Sequence, residues 1–403
     1  MAFNIITDVL IVLAGALLVG EIFEQLCLPS SVGEILAGMI IGPSLLGIVA
    51  FGDDIFAFSS IALFFIIFHI GFEMKIGMVR DKLLNATLLS ITSFVIPFIV
   101  VAFAALVFFP FGFEGNLIIA LAISIPSISI VSVLVLQYRL FQTATGQTIL
   151  AAVTISDVLA FVILAGVVRP LATTLTIIVD ILLFVIAFVV VDWILNRKPE
   201  SFQILLSRIS KVLRREDFSY VFLIIVALAI SAIFQVIGLS YILGAFFAGL
   251  IVHDGLIGRK PFERISQTLS TMNRVFFIPL FFGFAGLEVS LQAISLSHYL
   301  KLAIILAIVL ATGVYLTYYV SKSLNSKLEI VPKKVAGILV GRGAIGIIIA
   351  TIALNEGSIN NEGFSMVILG TLVLSLVIPL FAGRCKVRTQ DVQYQNTTVK
   401  DKD

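Results

Sequence analysis

The sequence predicts an all-α, polytopic membrane protein of about 13 transmembrane helices, built as a 6+1+6 inverted-topology repeat. Three observations carry this. Of 403 residues, 60% are hydrophobic and 12% charged, whereas soluble domains run near half and a quarter. So few charges cannot cover the surface of a soluble chain this long. Thirteen stretches are apolar enough for spans of about 20 residues. Two Gly-rich passages recur in the same order, seven helices apart. The balance of 26 Lys and Arg against 24 Asp and Glu gives no electrostatic footprint for nucleic acid.

In chain order the spans fall near 5–24, 32–50, 55–78, 85–109, 116–138, 146–168, 174–195, 218–237, 241–257, 272–290, 298–321, 332–355 and 363–383. The first has no basic stretch before it and no cleavage site after it, so it reads as a retained helix rather than a signal peptide. The longest polar connection, 196–217, opens Asn196-Arg197-Lys198-Pro199. It divides the chain into a first repeat with a linking helix (1–195), a basic cytoplasmic loop (196–217), an inverted second repeat (218–383) and a cytoplasmic tail (384–403). With the N-terminus outside, 23 of the 26 Lys and Arg lie on the inner side, Arg169 and Lys301 lie outside, and Arg342 falls within a helix. That bias sets the N-terminus outside and the C-terminus in the cytoplasm of a cell-membrane protein. Cys27 and Cys385 are too few for a disulfide framework.

Gly33-Glu34-Ile35-Leu36-Ala37-Gly38 recurs as Gly244-Ala245-Phe246-Phe247-Ala248-Gly249, an offset of 211. Gly71-Phe72-Glu73 recurs as Gly286-Leu287-Glu288, an offset of 215. Seven helices between copies is an odd number, so the second copy is upside down. Inverted repeats mark secondary transporters, with the binding site at the repeat interface near the midplane.

The fifth span contains Ser124-Ile125-Pro126-Ser127. Pro126 removes a donor and blocks a helical bond, so freed carbonyls and the Ser127 hydroxyl can line a polar cavity; a packed proline kink is the plainer alternative. Adding 215 to Ser127 reaches Arg342, in Gly341-Arg342-Gly343-Ala344-Ile345-Gly346 of the twelfth span. Interruptions at matching places in two halves point to a transporter site. The same segment fits a dinucleotide fingerprint by letter, but lies in a membrane span without the strand that motif needs. Asp157 falls about eleven residues past Gly146, some ~16 Å along a helix and halfway through a ~30 Å core. A carboxylate there is a functional-site hypothesis by default. Its structural alternative is a carboxylate kept only to pair with Arg342. Ser156 adjoins Asp157, and Thr154 is three residues back on the same face. Glu21, Glu34, Glu73, Asp180, Asp192 and Glu288 lie near span ends. His69 and Glu73 share a face at i,i+4 and form a candidate pH sensor; a buried, hydrogen-bonded histidine is the plainer reading. Nothing in the sequence suggests a resident cofactor, a structural metal cluster or a nucleophile–base pair, so the chain reads as no enzyme. The sequon-like Asn396-Thr397-Thr398 falls in the inner tail.

Pro29-Ser30-x-Val32-Gly33-Glu34-Ile35-Leu36-Ala37-Gly38-x-x-x-Gly42-Pro43, Gly71-Phe72-Glu73, Gly244-Ala245-Phe246-Phe247-Ala248-Gly249, Pro279-Leu280-Phe281-Phe282 and Gly286-Leu287-Glu288 together resemble the monovalent cation:proton antiporters. The branch is that of the bacterial sodium/proton antiporters and glutathione-gated potassium efflux systems. The resemblance runs in order from about residue 20 to 383. It implies a homodimer, a scaffold domain, and a core of two crossed broken helices at Pro126-Ser127 and Arg342-Gly343. It also implies that Asp157 is the ion carrier. Many members carry a second acid beside it, where this chain has Ser156. Many electrogenic members also carry a Lys in the eleventh helix, and 310–315 here has none; the usual Glu after the Arg-Gly pair is Ala344. A gated potassium efflux system would normally add a nucleotide-binding domain after the last span, and none is expected within residues 384–403.

The expected function is exchange of Na⁺, with K⁺ as a second candidate, for H⁺. The cation is carried as substrate by Asp157 with Ser156 and Thr154, supported by Pro126, Ser127 and Arg342. The exchange is expected to be electroneutral. An anion or organic-acid carrier using Arg342 and a non-transporting sensor are the alternatives.

Overall fold

The computed structural model describes residues 5–26, 28–73, 83–127, 131, 134–135, 140, 143–167, 218–236, 241–252, 257, 259–324 and 332–382. The expected linking helix at 174–195, the loop 196–217, the tail 384–403 and both cysteines lie outside them.

The described chain is helical: α1 (Ile5–Gln25), α2 (Ser30–Ile41), α3 (Asp53–Glu73), α4 (Leu83–Ser90), α5 (Ile96–Phe108), α6 (Gly112–Ser124), α7 (Ala144–Val167), α8 (Phe218–Val236), α9 (Tyr241–Ile251), α10 (Arg259–Met272), α11 (Ile278–Glu288), α12 (Leu296–Ser323), α13 (Pro332–Leu339), α14 (Ala344–Asn355) and α15 (Asn361–Ala382). Among the described residues, six helices are long and apolar enough to cross a membrane, and five shorter apolar helices accompany them. The lipid-type surface is visible on α1, where Ile6, Leu10 and Leu18 are exposed while Val12 and Ala16 are fully buried.

The sequence expectation overran two helices. The second span, set at 32–50, is helical only to Ile41, because Pro43 biases Gly42 out of the helical region and the chain turns at Gly47, φ +61°. The ninth, set at 241–257, stops at Ile251. In the other direction, the tenth begins earlier: amphipathic α10 runs through a π turn (Asn273–Phe277) into α11. A second π turn (Ile91–Val95) joins α4 to α5. Each π turn is followed by Ile-Pro, at Pro97 and Pro279. A proline has no N–H to close the regular ladder, and a widened turn is one accommodation.

Glycines set the closest helix crossings. A Cβ on Gly38 of α2 would strike the Gly283 carbonyl of α11, and one on Gly286 would strike the Ile35 carbonyl of α2. A Cβ on Gly249 of α9 would strike the Phe68 carbonyl of α3, and one on Gly71 would strike the Phe246 carbonyl of α9. In all four cases the struck carbonyl lies three residues before the partner glycine. The two crossings exchange when Gly38 is replaced by Gly249 and Gly286 by Gly71, which are the sequence-repeat equivalents. Small residues that let backbones meet are the standard device for packing helices in lipid.

A second feature positions the site. One buried apolar cluster takes Ala86 and Leu89 of α4, Val131, Val153 of α7, and Val335 and Leu339 of α13. A larger cluster takes Phe94, Ile123 of α6, Phe161 of α7 and Ile345 of α14. Four chain segments therefore pass from one cluster to the other. Where they pass, the buried residues turn polar: Ser90 and Ser93, Ser124 and Ser127, Ser156 and Asp157, and Arg342.

Candidate functional site

Asp157 occupies this polar seam on α7. Its side chain is 1% exposed, and Oδ1 has no hydrogen-bond partner among the described residues. A buried polar atom without a partner is costly and calls for an explanation. The helix around it is otherwise satisfied. Ser156 Oγ donates to the Ala152 carbonyl at 3.0 Å, and Thr154 Oγ1 to the Leu150 carbonyl at 3.0 Å. These back-bonds keep small hydroxyls compatible with a helix and leave acceptor lone pairs on both oxygens, one of those on Ser156 facing the Ser90 hydroxyl. Ser156 is buried and Thr154 only partly so. Phe161, one turn beyond Asp157, stacks on Phe246 of α9 at 4.4 Å. Residues four apart share a face, so the Asp157 face of α7 is the one turned toward α9 and the α3–α9 crossing.

Both expected breaks are present, and they meet. α6 ends at Ser124, and Ile125 is extended at φ −71°, ψ 130°. α13 ends at Leu339 and α14 begins at Ala344. Pro126 and Arg342 pair as an isolated antiparallel bridge, with the Ser127 amide donating to the Gly341 carbonyl at 2.6 Å. A helix C-terminus and a helix N-terminus thus end together, each with backbone groups that lack helical partners and with a partial charge. Pro126 also leaves the Ala122 carbonyl without its helical donor. That carbonyl packs against Gly346 of α14, where a Cβ would collide with it. The Ser124 and Ser127 hydroxyls are buried and, among the described residues, without a partner.

Arg342 is 1% exposed. Its Nη2 donates to the Ser93 carbonyl at 2.9 Å, and its own carbonyl accepts from Ser375 Oγ of α15 at 2.7 Å. Nε and Nη1 have no partner among the described residues. The Asp157–Arg342 ion pair weighed as a structural alternative is absent among the described residues. Instead both sides of the seam dock on one turn. Ser90 Oγ lies 2.9 Å from Ser156 Oγ, and the Ser93 carbonyl, three residues on, holds Arg342.

The structure therefore brings Pro126, Ser127 and Arg342 into direct contact and places Ser156 and Asp157 in the same layer, while Thr154 sits one turn toward its edge. Sequence reasoning missed Ser90, Ser93, Gly313 and Ser375. Pro97 was the available signal for Ser93. His69 is buried on α3, and the Glu73 side chain lies outside the described residues. An open cavity of ≈ 390 Å³ lined by Glu114 and Glu356, among others, lies at the opposite ends of α6 and α14 from the crossing.

Comparison with known proteins bears on what such a layer does. The sequence pattern of the sodium/hydrogen exchanger transmembrane family matches residues 9–383. The chain is 23% identical to the probable Na⁺/H⁺ antiporter 3 of Methanocaldococcus jannaschii, over 94% of this chain and 98% of that one. It is 26% identical to the K⁺/H⁺ antiporter 1 of Saccharomyces cerevisiae, over 88% of this chain but 43% of that protein. In fold it is similar to the sodium proton antiporter MjNhaP1 from Methanocaldococcus jannaschii at pH 8, with a TM-score of 0.66 at 16% identity, covering 94% of this chain and 97% of that one.

Proposed function

The chain belongs to the sodium/hydrogen exchanger family, and on that premise we propose that it exchanges Na⁺ for H⁺ by competition at Asp157. It is a multi-pass membrane protein, and its relatives are transporters rather than enzymes. The observation that carries the site assignment is the buried Asp157 carboxylate, whose Oδ1 has no hydrogen-bond partner among the described residues, midway along a membrane helix whose buried polar residues lie between the same two apolar clusters as the two helix breaks. A carboxylate at that depth is a cost without a structural return.

The cycle needs few parts. Deprotonated Asp157 binds a cation, with oxygen ligands from Ser156, Thr154 and the Pro126-Ser127 break. Protonated Asp157 is neutral and releases it. Arg342 adds a positive charge to the layer without closing an ion pair on Asp157, so the carboxylate stays open to either partner. Alternating access follows from α6, α7 and α14 moving against the scaffold of α2, α3, α9 and α11. The exchangeable glycine crossings of that scaffold support two inverted halves, 1–195 with its linking helix and 218–383. The Lys and Arg bias supports an N-terminus outside and a cytoplasmic C-terminus in the cell membrane. A homodimer in membrane lipid is the assembly the resemblance implies. Na⁺ comes first among cargoes because the archaeal relative is named for it, and K⁺ second because the yeast relative is named for it.

One carboxylate with neutral Ser156 beside it moves one H⁺ against one monovalent cation, and no net charge. A membrane potential is worth ~2.3 kcal/mol per elementary charge per 100 mV, so a single net charge per cycle is easily seen. The test is exchange in proteoliposomes carrying a pH dye, scanned over Na⁺, K⁺, Li⁺ and Ca²⁺ with a K⁺/valinomycin potential imposed on the Na⁺ arm. Na⁺-dependent proton movement whose endpoint ignores voltage supports the reading. An endpoint that follows voltage shows a second carrier and overturns the one-carboxylate scheme.

A further inference from the structure

We propose that Pro97 is a positioning residue for transport: it frees the Ser93 carbonyl as the dock that fixes the Arg342 guanidinium in the polar seam. The inference deepens the exchange reading and rests on it. In a regular helix the carbonyl of residue 93 would accept from the N–H of residue 97. Proline has none. The helix widens here into the π turn Ile91–Val95, and the Ser93 carbonyl accepts from Arg342 Nη2 at 2.9 Å instead. Among the described residues this is the only hydrogen bond from the guanidinium, so its position rests on that one acceptor and on packing.

The packing is built to match. Gly313 of α12 lies beside the same nitrogen, where a Cβ would stand 3.3 Å from Arg342 Nη2 and 3.8 Å from Pro97 Cγ. Guanidinium, proline ring and glycine thus fill one space. The other charged or titratable side chains described on the packed elements sit away from it: His298, Lys301 and Lys322 near the two ends of α12, Lys333 and Lys334 in the first turn of α13, Glu114 in the first turn of α6, Glu356 just past the far end of α14, and Glu362 at the start of α15. Asp157 is the titratable group in the same layer. The turn that receives Arg342 also holds Ser156 through Ser90, so the dock registers the cation of Arg342 against the carboxylate-bearing helix.

The second π turn supplies the control. Pro279 frees the Val275 carbonyl in the same way, but among the described residues no guanidinium reaches it. The experiment compares Pro97→Ala, Gly313→Ala, Pro279→Ala and Arg342→Gln in reconstituted full-length protein, measuring the pH of half-maximal exchange, the KM for Na⁺ and the melting temperature. Pro97→Ala returns a donor to the Ser93 carbonyl, and Gly313→Ala crowds the guanidinium. Each should move the pH midpoint in the sense of Arg342→Gln, by roughly half a pH unit, while Pro279→Ala leaves the midpoint in place. In melting, Pro97→Ala and Arg342→Gln should be non-additive, and Pro279→Ala and Arg342→Gln additive. Should Pro97→Ala not fold, Gly313→Ala decides. A midpoint unmoved in the Pro97 and Gly313 variants of an exchanging protein, or moved equally by Pro279→Ala, overturns the proposal. A wild type that does not exchange sinks the functional reading instead, and the melting cycle still decides whether Pro97 positions Arg342.

Discussion

Two kinds of helix crossing sit side by side in this protein. At α2–α11 and α3–α9, glycines on both helices face carbonyls on their partners, and all four helices run unbroken through the contact. At α6–α14 one glycine, Gly346, also faces a carbonyl, that of Ala122. There both chain segments are broken, and Ser124, Ser127 and two Arg342 nitrogens lack partners among the described residues. The same close-approach device thus serves opposite ends. Where the ladder is intact, it makes a rigid frame. Where proline and glycine interrupt it, it gathers uncompensated polar groups in one layer beside Asp157. A membrane interior tolerates irregular backbone only where it is buried in protein or lines a cavity, so the frame is what makes the break affordable.

The largest effect should follow from breaking the frame. Gly249→Leu places a side chain into the Phe68 carbonyl, with no flexible group to yield. It should cost more than about 4 kcal/mol and be seen as loss of monodisperse, folded protein in detergent. A folded, stable Gly249→Leu would show that the frame is not rigid. Next comes the seam. Arg342→Ala should lower exchange about tenfold or reduce stability, yet leave Na⁺ as the cargo, because a guanidinium repels cations and can only support their site. Acid-stimulated uptake of a labelled carboxylate by wild type, lost in Arg342→Ala, would favour the anion-carrier alternative. The mildest effect is in the wild type itself. If one proton and one cation compete for one carboxylate, a tenfold rise in Na⁺ should shift the pH of half-maximal exchange by about one unit toward acid. A midpoint that ignores Na⁺ would separate the two sites.

The frame and the breaks were legible because their signals are local or periodic. Gly38 and Gly249 recur at a fixed offset, Pro126 interrupts an apolar run, and Asp157 is a charge where hydropathy forbids one. The same pattern put Ser127 and Arg342 in register, and they now adjoin through the Ser127 amide and the Gly341 carbonyl. What stayed hidden are bonds between distant residues. Ser90 reaches Ser156 across 66 positions and Ser93 reaches Arg342 across 249, and no periodicity records either. Pro97 announces that a carbonyl is freed, not which donor finds it. The ends of α2 and α9 were overrun because apolar runs continue past the point where the helix stops, so hydropathy could not see the turn at Gly42-Pro43.

The central claim is that Asp157 carries both substrates in turn, and the most direct measurement is Na⁺/H⁺ exchange by Asp157→Asn in proteoliposomes alongside its melting curve. Asn keeps the size and removes the charge, so the helix and its Ser90–Ser156 contact should survive. The account predicts a folded protein, melting at or above the wild-type temperature, with no exchange at any pH. Wild-type exchange rates from that folded variant would contradict it.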